Sequence, residues 1–438
     1  MSAPDTAADP PPAAESDPRQ PAASPRGAGI GVALLGAALV AVVVLTTPWR
    51  ALPAGTPVVP AESARDFTAA QIARSAALDT ATSVPAYLSL GLTLIVAGLL
   101  TLTPFGTRLL GRLRGPWWVR VPLGVLAITV VTEALRWPLG MWMETYLRDF
   151  GLSTQAWPAW SLDRLMSLGV RTGLLAFVVL VVVALARRLA RWWIPAAAGV
   201  FLLTVGASFV YPVVFEPLFN DFRSMPAGQL RDDLLAMAAR DGVPVSDVLV
   251  ADASRRTTAL NAYVSGFGAT KRIVVYDTLL KAPVEEVRVV VAHELGHAKH
   301  DDVLYGTLIG GLGAAFGTCL LAAVTSTGFL RRRTGIASLA DPRAAGLVLS
   351  LISIGTVLSG PAQNLISRQI EGRADVHALD LTRDPATFVA IQQRLATTNL
   401  SDLAPDPLEY VLYFSHPPTP ERIAIARSWA LLNRLPQP

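Results

Sequence analysis

Residues 293–297 read His-Glu-Leu-Gly-His. On a helix, two histidines four apart share a face, with Cβ atoms about 5–6 Å apart. That spacing lets both imidazoles reach one zinc ion, and a glutamate beside the first histidine can activate a water there. His293 and His297 are therefore candidate ligands of a single Zn2+, and Glu294 is the candidate general base. The ion needs a third protein ligand. A third histidine soon after the motif would serve, but His300 follows too closely and position 303 is Val303. The other solution is a glutamate on a later helix. The downstream acids Glu371, Asp375 and Asp380 cluster around the run Ser367-Arg-Gln-Ile-Glu-Gly-Arg-Ala-Asp375, and Glu371 and Asp375 are four apart on one helix face. Alone, that pair also suits a solvated face paired with Arg368 or Arg373. The unmet third ligand favours Glu371 as that ligand, with Asp375 orienting a zinc-bound imidazole through its other nitrogen.

A division of labour follows. Three protein ligands leave the fourth position open to water, whose pKa the metal lowers toward about 7. Glu294 takes the proton from the water and delivers it to the leaving amine. The oxyanion of a tetrahedral intermediate needs a stabiliser. His416, in Phe414-Ser-His-Pro-Pro418, is the candidate, the alternative being a loop histidine that caps or packs. Residues from Asn261 to Val264 could offer an open strand edge to an extended substrate. His300 and His377 read as surface or supporting groups, and Cys319 as packed or lipid-facing.

The elements that must position these groups lie in a membrane-like chain. Of 438 residues, 52% are apolar and only 16% charged, against roughly 25% charged in ordinary soluble domains. Seven apolar runs, near 29–47, 86–104, 119–136, 170–187, 193–213, 303–327 and 344–362, approach the length of about 20 residues that spans a bilayer. Glu133 near the end of the third run faces either a cavity or the membrane interface. Residues 1–28, rich in Pro, Ala, Asp and Ser, read as a disordered tail. Residues 29–213 then form a five-helix membrane region, 214–302 a peptidase segment carrying the motif, 303–362 two further spans, and 363–438 a second peptidase segment. Within 214–302, residues 226–241 suit a surface helix stopped by Gly242. Val248–Val250 and Ile273–Tyr276 suit short strands, with Asn261–Val264 a third. Pro283, Glu285 and Glu286 open the motif's helix. The fold class is mainly α: a polytopic membrane protein with about seven transmembrane helices forming a chamber, plus a small α+β zinc metallopeptidase domain.

Charge excludes one class and suggests an orientation. A net charge of +4, spread in short loops, gives no nucleic-acid-binding stripe. The arginines cluster in loops 105–120, 187–192 and 328–343, whereas 48–85 and 137–169 are sparser in arginine. The positive-inside rule puts the arginine-dense loops in the cytoplasm and the zinc segment on the far side.

The chain resembles the type I CAAX prenyl protease family, integral-membrane zinc metallopeptidases of the gluzincin type. The resemblance rests on Tyr211-Pro-Val-Val-Phe-Glu-Pro-Leu-Phe-Asn220, Asn261-Ala-Tyr263, Lys271-Arg-Ile-Val-Val-Tyr-Asp-Thr278, Ala292-His-Glu-Leu-Gly-His297, Glu371 with Ala374-Asp375, and Ser415-His-Pro-Pro418 with Glu421-Arg422. It covers nearly everything after residue 29. It implies a barrel of seven helices around a water-filled chamber, with the metal at one end. It also implies the roles given to His293, Glu294, His297 and Glu371, a catalytic His416, and substrate binding by Asn261, Ala262, Tyr263 and Arg422. The tail has no counterpart in that pattern. Arginine far outnumbers lysine (Lys271, Lys281 and Lys299) and alanine is abundant, which points to a GC-rich bacterial genome and its plasma membrane. Bacteria generally lack protein prenylation, so the substrate is an extended peptide or membrane-protein segment, lipidated or not. Two alternatives stand beside this reading: a heat-shock quality-control membrane peptidase, and a non-catalytic receptor or transporter with a structural zinc. Structural sites usually close all four positions with protein ligands, and this one offers three.

Overall fold

The computed structural model describes residues 25–266, 268 and 271–438. Most of the expected tail lies outside the described residues. Where the two overlap, the expectation is corrected, because Pro25 already opens a helix. The helices α1 (Pro25–Thr46), α2 (Ser63–Asp66), α3 (Ala69–Leu102), α4 (Phe105–Gly111), α5 (Trp117–Asp149), α6 (Trp157–Arg188) and α7 (Trp193–Val210) come first. A mixed segment follows: β1 (Phe222–Ser224), α8 (Gln229–Asp241), β2 (Asp247–Ala251), β3 (Ala262–Ser265), β4 (Arg272–Tyr276) and α9 (Val284–Lys299). Then come α10 (Asp302–Thr325), α11 (Gly328–Thr334), α12 (Ala345–Thr382), α13 (Pro385–Asn399), α14 (Pro407–Tyr413) and α15 (Thr419–Leu432).

Seven segments, containing α1, α3, α5, α6, α7, α10 and α12, are long and apolar enough to cross a membrane. Four run well past the apolar stretches. α3 starts at Ala69 rather than near 86, and α5 ends at Asp149 rather than near 136. α6 starts at Trp157 rather than near 170, and α12 continues to Thr382 rather than stopping near 362. The 34 residues of α3 reach roughly 50 Å, against about 30 Å of hydrocarbon. Hydropathy marks only the lipid-covered part of a helix. The extensions all lie at one end of the bundle by the alternation of the spans; that of α12 is largely buried, whereas those of α3, α5 and α6 keep many exposed residues, such as Trp142, Leu162 and Leu165. Neighbours follow the order α10, α7, α6, α5, α3, α12 and back to α10, while α1 packs on α10. At the arginine-loop end, Leu100, Leu110, Val125, Val179, Val183 and Val348 share one apolar core. Cys319 is buried under α1, in a cluster with Ala197, Ala315, Trp193 and Phe201.

The mixed segment builds a four-stranded sheet in the order β1-β2-β4-β3. β2 and β4 are parallel, in register Val248↔Ile273, and β3 pairs antiparallel with β4, Tyr263↔Val274. β1 is too short to leave a sequence pattern. β3 is an edge strand, as an acceptor of an added strand must be. One sheet face, with Val248, Ala262, Ile273 and Val275, packs into the core that holds α9. Along α9, Val287, Val291, Leu295 and Ala298 recur at helical spacing and are buried, which turns His293 and His297 to another face. Glu285 and Glu286 lie in the first turn, where the helix dipole favours them. Glu286 is also clamped by Arg394 of α13 through two bonds, of 2.5 and 3.0 Å.

Candidate active site

α9 and α12 cross where the motif sits, and the glycine within it permits the crossing. A Cβ on Gly296 would stand 3.0 Å from the His377 Cβ of α12. Gly372 is likewise pressed against Ala51, a Cβ there lying 3.1 Å away. With Gly296 bare, α9 and α12 approach closely and Glu371 comes over the two histidines, while the bare Gly372 admits the segment after α1.

His293, His297 and Glu371 each offer a ligand atom, all within 4.8 Å of one another. The two Nε2 atoms are 3.2 Å apart. Glu371 Oε2 lies 3.2 Å from His293 Nε2, and Oε1 lies 3.6 Å from His297 Nε2. Two nitrogens and a carboxylate thus converge on one point, and Glu371 Oε2 is buried with no hydrogen-bond partner. A cation fits such a cage. Neutral-imidazole nitrogens plus one carboxylate is also the donor set that suits zinc-type ions.

Each imidazole is held from behind. His293 Nδ1 lies 2.9 Å from Asp375 Oδ1, and His297 Nδ1 lies 3.0 Å from Asp302 Oδ2. Donation from Nδ1 to a carboxylate fixes the tautomer that leaves Nε2 as a free lone pair. Both acids are held in turn. Asp375 accepts two bonds from Arg422, of 2.8 and 2.5 Å, and Asp302 is paired with Arg373 of α12. Burial alone would lower the pKa of His293, but Asp375 and Glu371 outweigh it and push it up to about 10. The pocket therefore favours a positive charge. Glu294, half-buried, makes no hydrogen bond among the described residues. Burial pushes its carboxyl above the usual range, against the pull of His293 and His297.

His416 stands at the rim. Its Nε2 lies 3.2 Å from Glu371 Oε1, its Nδ1 lies 3.0 Å from the Ser415 hydroxyl, and its side chain is 59% exposed. Asn261, Ala262 and Tyr263 lie at and on β3, which packs against α9. Asn261 Oδ1 accepts the Ala262 N–H at 2.9 Å. The Arg422 guanidinium is bound to Asp375, behind His293, and its side chain is 13% exposed. His377 is bound to Asp241 at 3.0 Å and packs edge-on against His300, 5.7 Å between centroids. Sequence reasoning missed Asp302. The helix breaks between His297 and Asp302, with Asp301 at φ 52°, so no periodic spacing connects them.

A multi-pass helical protein with a His-His-Glu cage and an adjacent unpaired glutamate is a membrane-embedded metallopeptidase. The chain belongs to Peptidase family M48, which residues 224–430 match. Residues 49–221 match the CAAX prenyl protease N-terminal region of five membrane helices; α1 precedes that stretch. The chain is 32% identical to the metalloprotease YhfN of Bacillus subtilis over 308 residues, 68% of this chain and 71% of the relative. It is 35% identical to the CAAX prenyl protease 1 homolog of Oryza sativa, over 51% of this chain and 53% of the relative. It is 29% identical to CAAX prenyl protease 1 of Saccharomyces cerevisiae, again over about half of each chain, 51% and 53%. The fold matches the crystal structure of S. mikatae Ste24p with a TM-score of 0.73 and 21% identity, over 91% of this chain and 98% of that one.

Proposed function

We propose that the chain is a zinc endopeptidase that hydrolyses extended peptides or segments of membrane proteins. The observation that carries this reading is the cage of His293, His297 and Glu371 with its orphaned Glu371 oxygen. One Zn2+ held there supplies Lewis-acid polarisation of the scissile carbonyl and a water of lowered pKa. Glu294, unpaired and half-buried, takes the proton of the attacking water and passes it to the leaving amine. His416 reaches the developing oxyanion from the exposed rim. Asp375 and Asp302 hold the histidine tautomers, and Arg422 and Arg373 hold those acids. The outer edge of β3, from Asn261 to Tyr263, aligns the substrate backbone. Residues 214–302 and 363–438 act as the peptidase part on the membrane region 29–213 and the two spans of 303–362.

The direct test is a quenched-peptide panel, half of it lipidated, with wild type and Glu294→Gln in detergent. Cleavage falls by about 10²–10⁴-fold in the variant, with zinc retained. Retained zinc without cleavage of any peptide by wild type would favour a structural-metal receptor. The ratio of lipidated to plain rates decides whether prenyl-type substrates are used.

We place the peptidase part outside the cytoplasm of a bacterial plasma membrane. The loops between α3 and α5, α6 and α7, and α10 and α12 share one end of the bundle and hold the clustered arginines, including Arg112, Arg191 and Arg331–Arg333. Lipid charge and insertion keep such loops inside. Protease added to sealed right-side-out vesicles digests residues 383–438 if this is so. Full protection reverses the orientation.

A further inference from the structure

The end of the bundle opposite the peptidase part carries a charge that nothing in the chain answers. Residues 103–120, 187–192 and 326–345 hold eleven arginines, no lysine and one acid, Asp341, which gives that end +10 in a chain of net charge +4. Asp341 is taken by Arg343. Arg187 donates to the Ala340 carbonyl at 3.0 Å and stands over the Trp117 ring, 5.2 Å from its centroid. The other nine make no side-chain hydrogen bond or ion pair among the described residues. Eight of those nine are exposed, and Arg120 is half-buried with an unpartnered Nε. The three stretches form one surface. Arg187 ties the second to the third through Ala340 and to the first through Trp117. A Cβ on Gly111 would stand 3.8 Å from the Arg343 Cδ, which closes the first onto the third. Beneath them lies the apolar core of Leu110, Val125 and Val348, so no acid faces the arginines from within.

We infer that this surface binds anionic phospholipid headgroups of the leaflet in which it sits. Guanidinium forks match phosphate oxygens through paired, charge-assisted bonds. Basic clusters directly beside membrane spans are the usual readers of anionic lipids. Aromatic side chains accompany the arginines. Phe105 opens α4, Trp118 lies in the first turn of α5 and Phe329 lies in α11, and they are 53, 57 and 48% exposed. Arg333 stands over the Phe329 ring, 5.6 Å from its centroid. Rings of this kind settle at headgroup depth, where one side is apolar and the other wet. An acidic protein docking from the water would answer the arginines but leave these rings without a role. The inference goes beyond orientation. Insertion needs only more basic residues on one side than on the other, whereas nine unanswered guanidiniums need anions in the mature protein. It stands apart from the zinc chemistry, and none of the steps assigned to the metal site uses these residues.

Four of the ten tryptophans, Trp117, Trp118, Trp192 and Trp193, lie at this end and report on the lipids around it. The test reconstitutes the full chain into phosphatidylcholine vesicles and adds brominated lipid, which quenches tryptophan on contact. Both leaflets have the same composition, so the orientation of the protein does not enter. Brominated phosphatidylglycerol is expected to bind about fivefold or more tightly than brominated phosphatidylcholine, the worth of one basic residue at an anionic surface. Raising NaCl to about 1 M, where charges act over roughly 3 Å, is expected to shrink that preference. One variant carries Arg331→Gln, Arg332→Gln and Arg333→Gln, and a second carries Arg112→Gln and Arg114→Gln. Each is expected to lower the preference, and the two sets together to bring it close to one. None of these substitutions strips an acid of its partner. Unchanged quenching by brominated phosphatidylcholine reports an intact fold, and if one variant does not fold, the other decides. Equal quenching of wild type by the two lipids, the result if an acidic protein covers the surface instead, would overturn the inference. So would a preference that survives the combined substitutions.

Discussion

The two ends of the helix bundle follow opposite rules. At the end that carries the loops around α4 and α11, the helices close on side chains such as Leu110, Val125, Val179 and Leu347, and the charges stay in the loops. Arg343 folds onto its neighbour Asp341 and Arg187 donates to the Ala340 carbonyl at 3.0 Å. At the other end the charges are inside. Glu133 is shared by Arg164 and Arg171, Asp163 holds Arg256, and each metal-site histidine is backed by an acid and an arginine. Buried ions cost several kcal/mol each unless paired and hydrogen-bonded. A chain keeps them where they perform chemistry, and closes the remaining end with apolar packing.

The comparison is most open to attack through stability. Leu234 of α8 and Leu347 of α12 are both buried, at 0% and 2% exposure. Leu234 lies in the core of the peptidase part, facing a water-exposed unfolded state, so Leu234→Ala is expected to cost about 3–4 kcal/mol. Leu347 lies among membrane helices, where the alternative environment is lipid as apolar as itself. Leu347→Ala loses packing but little transfer energy, and is expected to cost about half as much. Unfolding in detergent, followed by tryptophan fluorescence, measures both. Equal losses would show that the two cores obey one rule.

A second pair of substitutions separates the two supports of the metal cage. Asp302→Asn and Asp375→Asn each weaken zinc binding by about 10–100-fold, read by competition with a chelator. Asp375→Asn should be the worse, because it leaves Arg422 buried without its counter-charge, while Arg373 beside Asp302 is the more exposed of the two arginines. Unchanged affinity in both would mean that the acids position nothing.

Much of this arrangement is legible in the sequence, and the rest is hidden for identifiable reasons. His293, Glu294 and His297 are visible because a helix converts a spacing of four into one face. Glu371 is visible because a metal with two histidines needs another ligand and few glutamates, only Glu371, Glu409 and Glu421, lie downstream. Asp302 is hidden, since a left-handed residue interrupts the period between it and His297. Arg422 is recognisable only as part of a motif, and its work on Asp375 requires α12 and α15 to be seen together. The arginines of the cavity beside Glu133 and Asp163 come from α5, α6 and a loop some ninety residues further on; Arg136, Arg164 and Arg171 each read alone as a stray charge in or near a span, and Arg256 as a loop charge. The extra turns of α3, α5, α6 and α12 escape hydropathy because they carry charges such as Asp79, Glu144, Asp163 and Arg373, which interrupt the apolar runs.

The smallest expected effect lies near the start of α3, where Asp79, Asp402 and Glu409 present oxygens within 4.8 Å of one another. Burial first, and then the charge of Asp79 and Asp402, push Glu409 from 4.5 up to about 7. The folded state thus holds this proton more tightly than the unfolded chain does. Its contribution to stability is fully present below about 4.5 and is lost as pH rises through about 7. Glu409→Gln removes the titrating charge and leaves an amide of the same shape. It is expected to raise the melting temperature at pH 8 by a few degrees and to change it little at pH 5. Such a gain would mark a charged cluster at the catalytic end that is retained against stability, as the arginine-loop end has no need to do. The same gain at both pH values would mean that the carboxylates do not repel one another, and that this corner of the molecule follows the apolar rule of the opposite end.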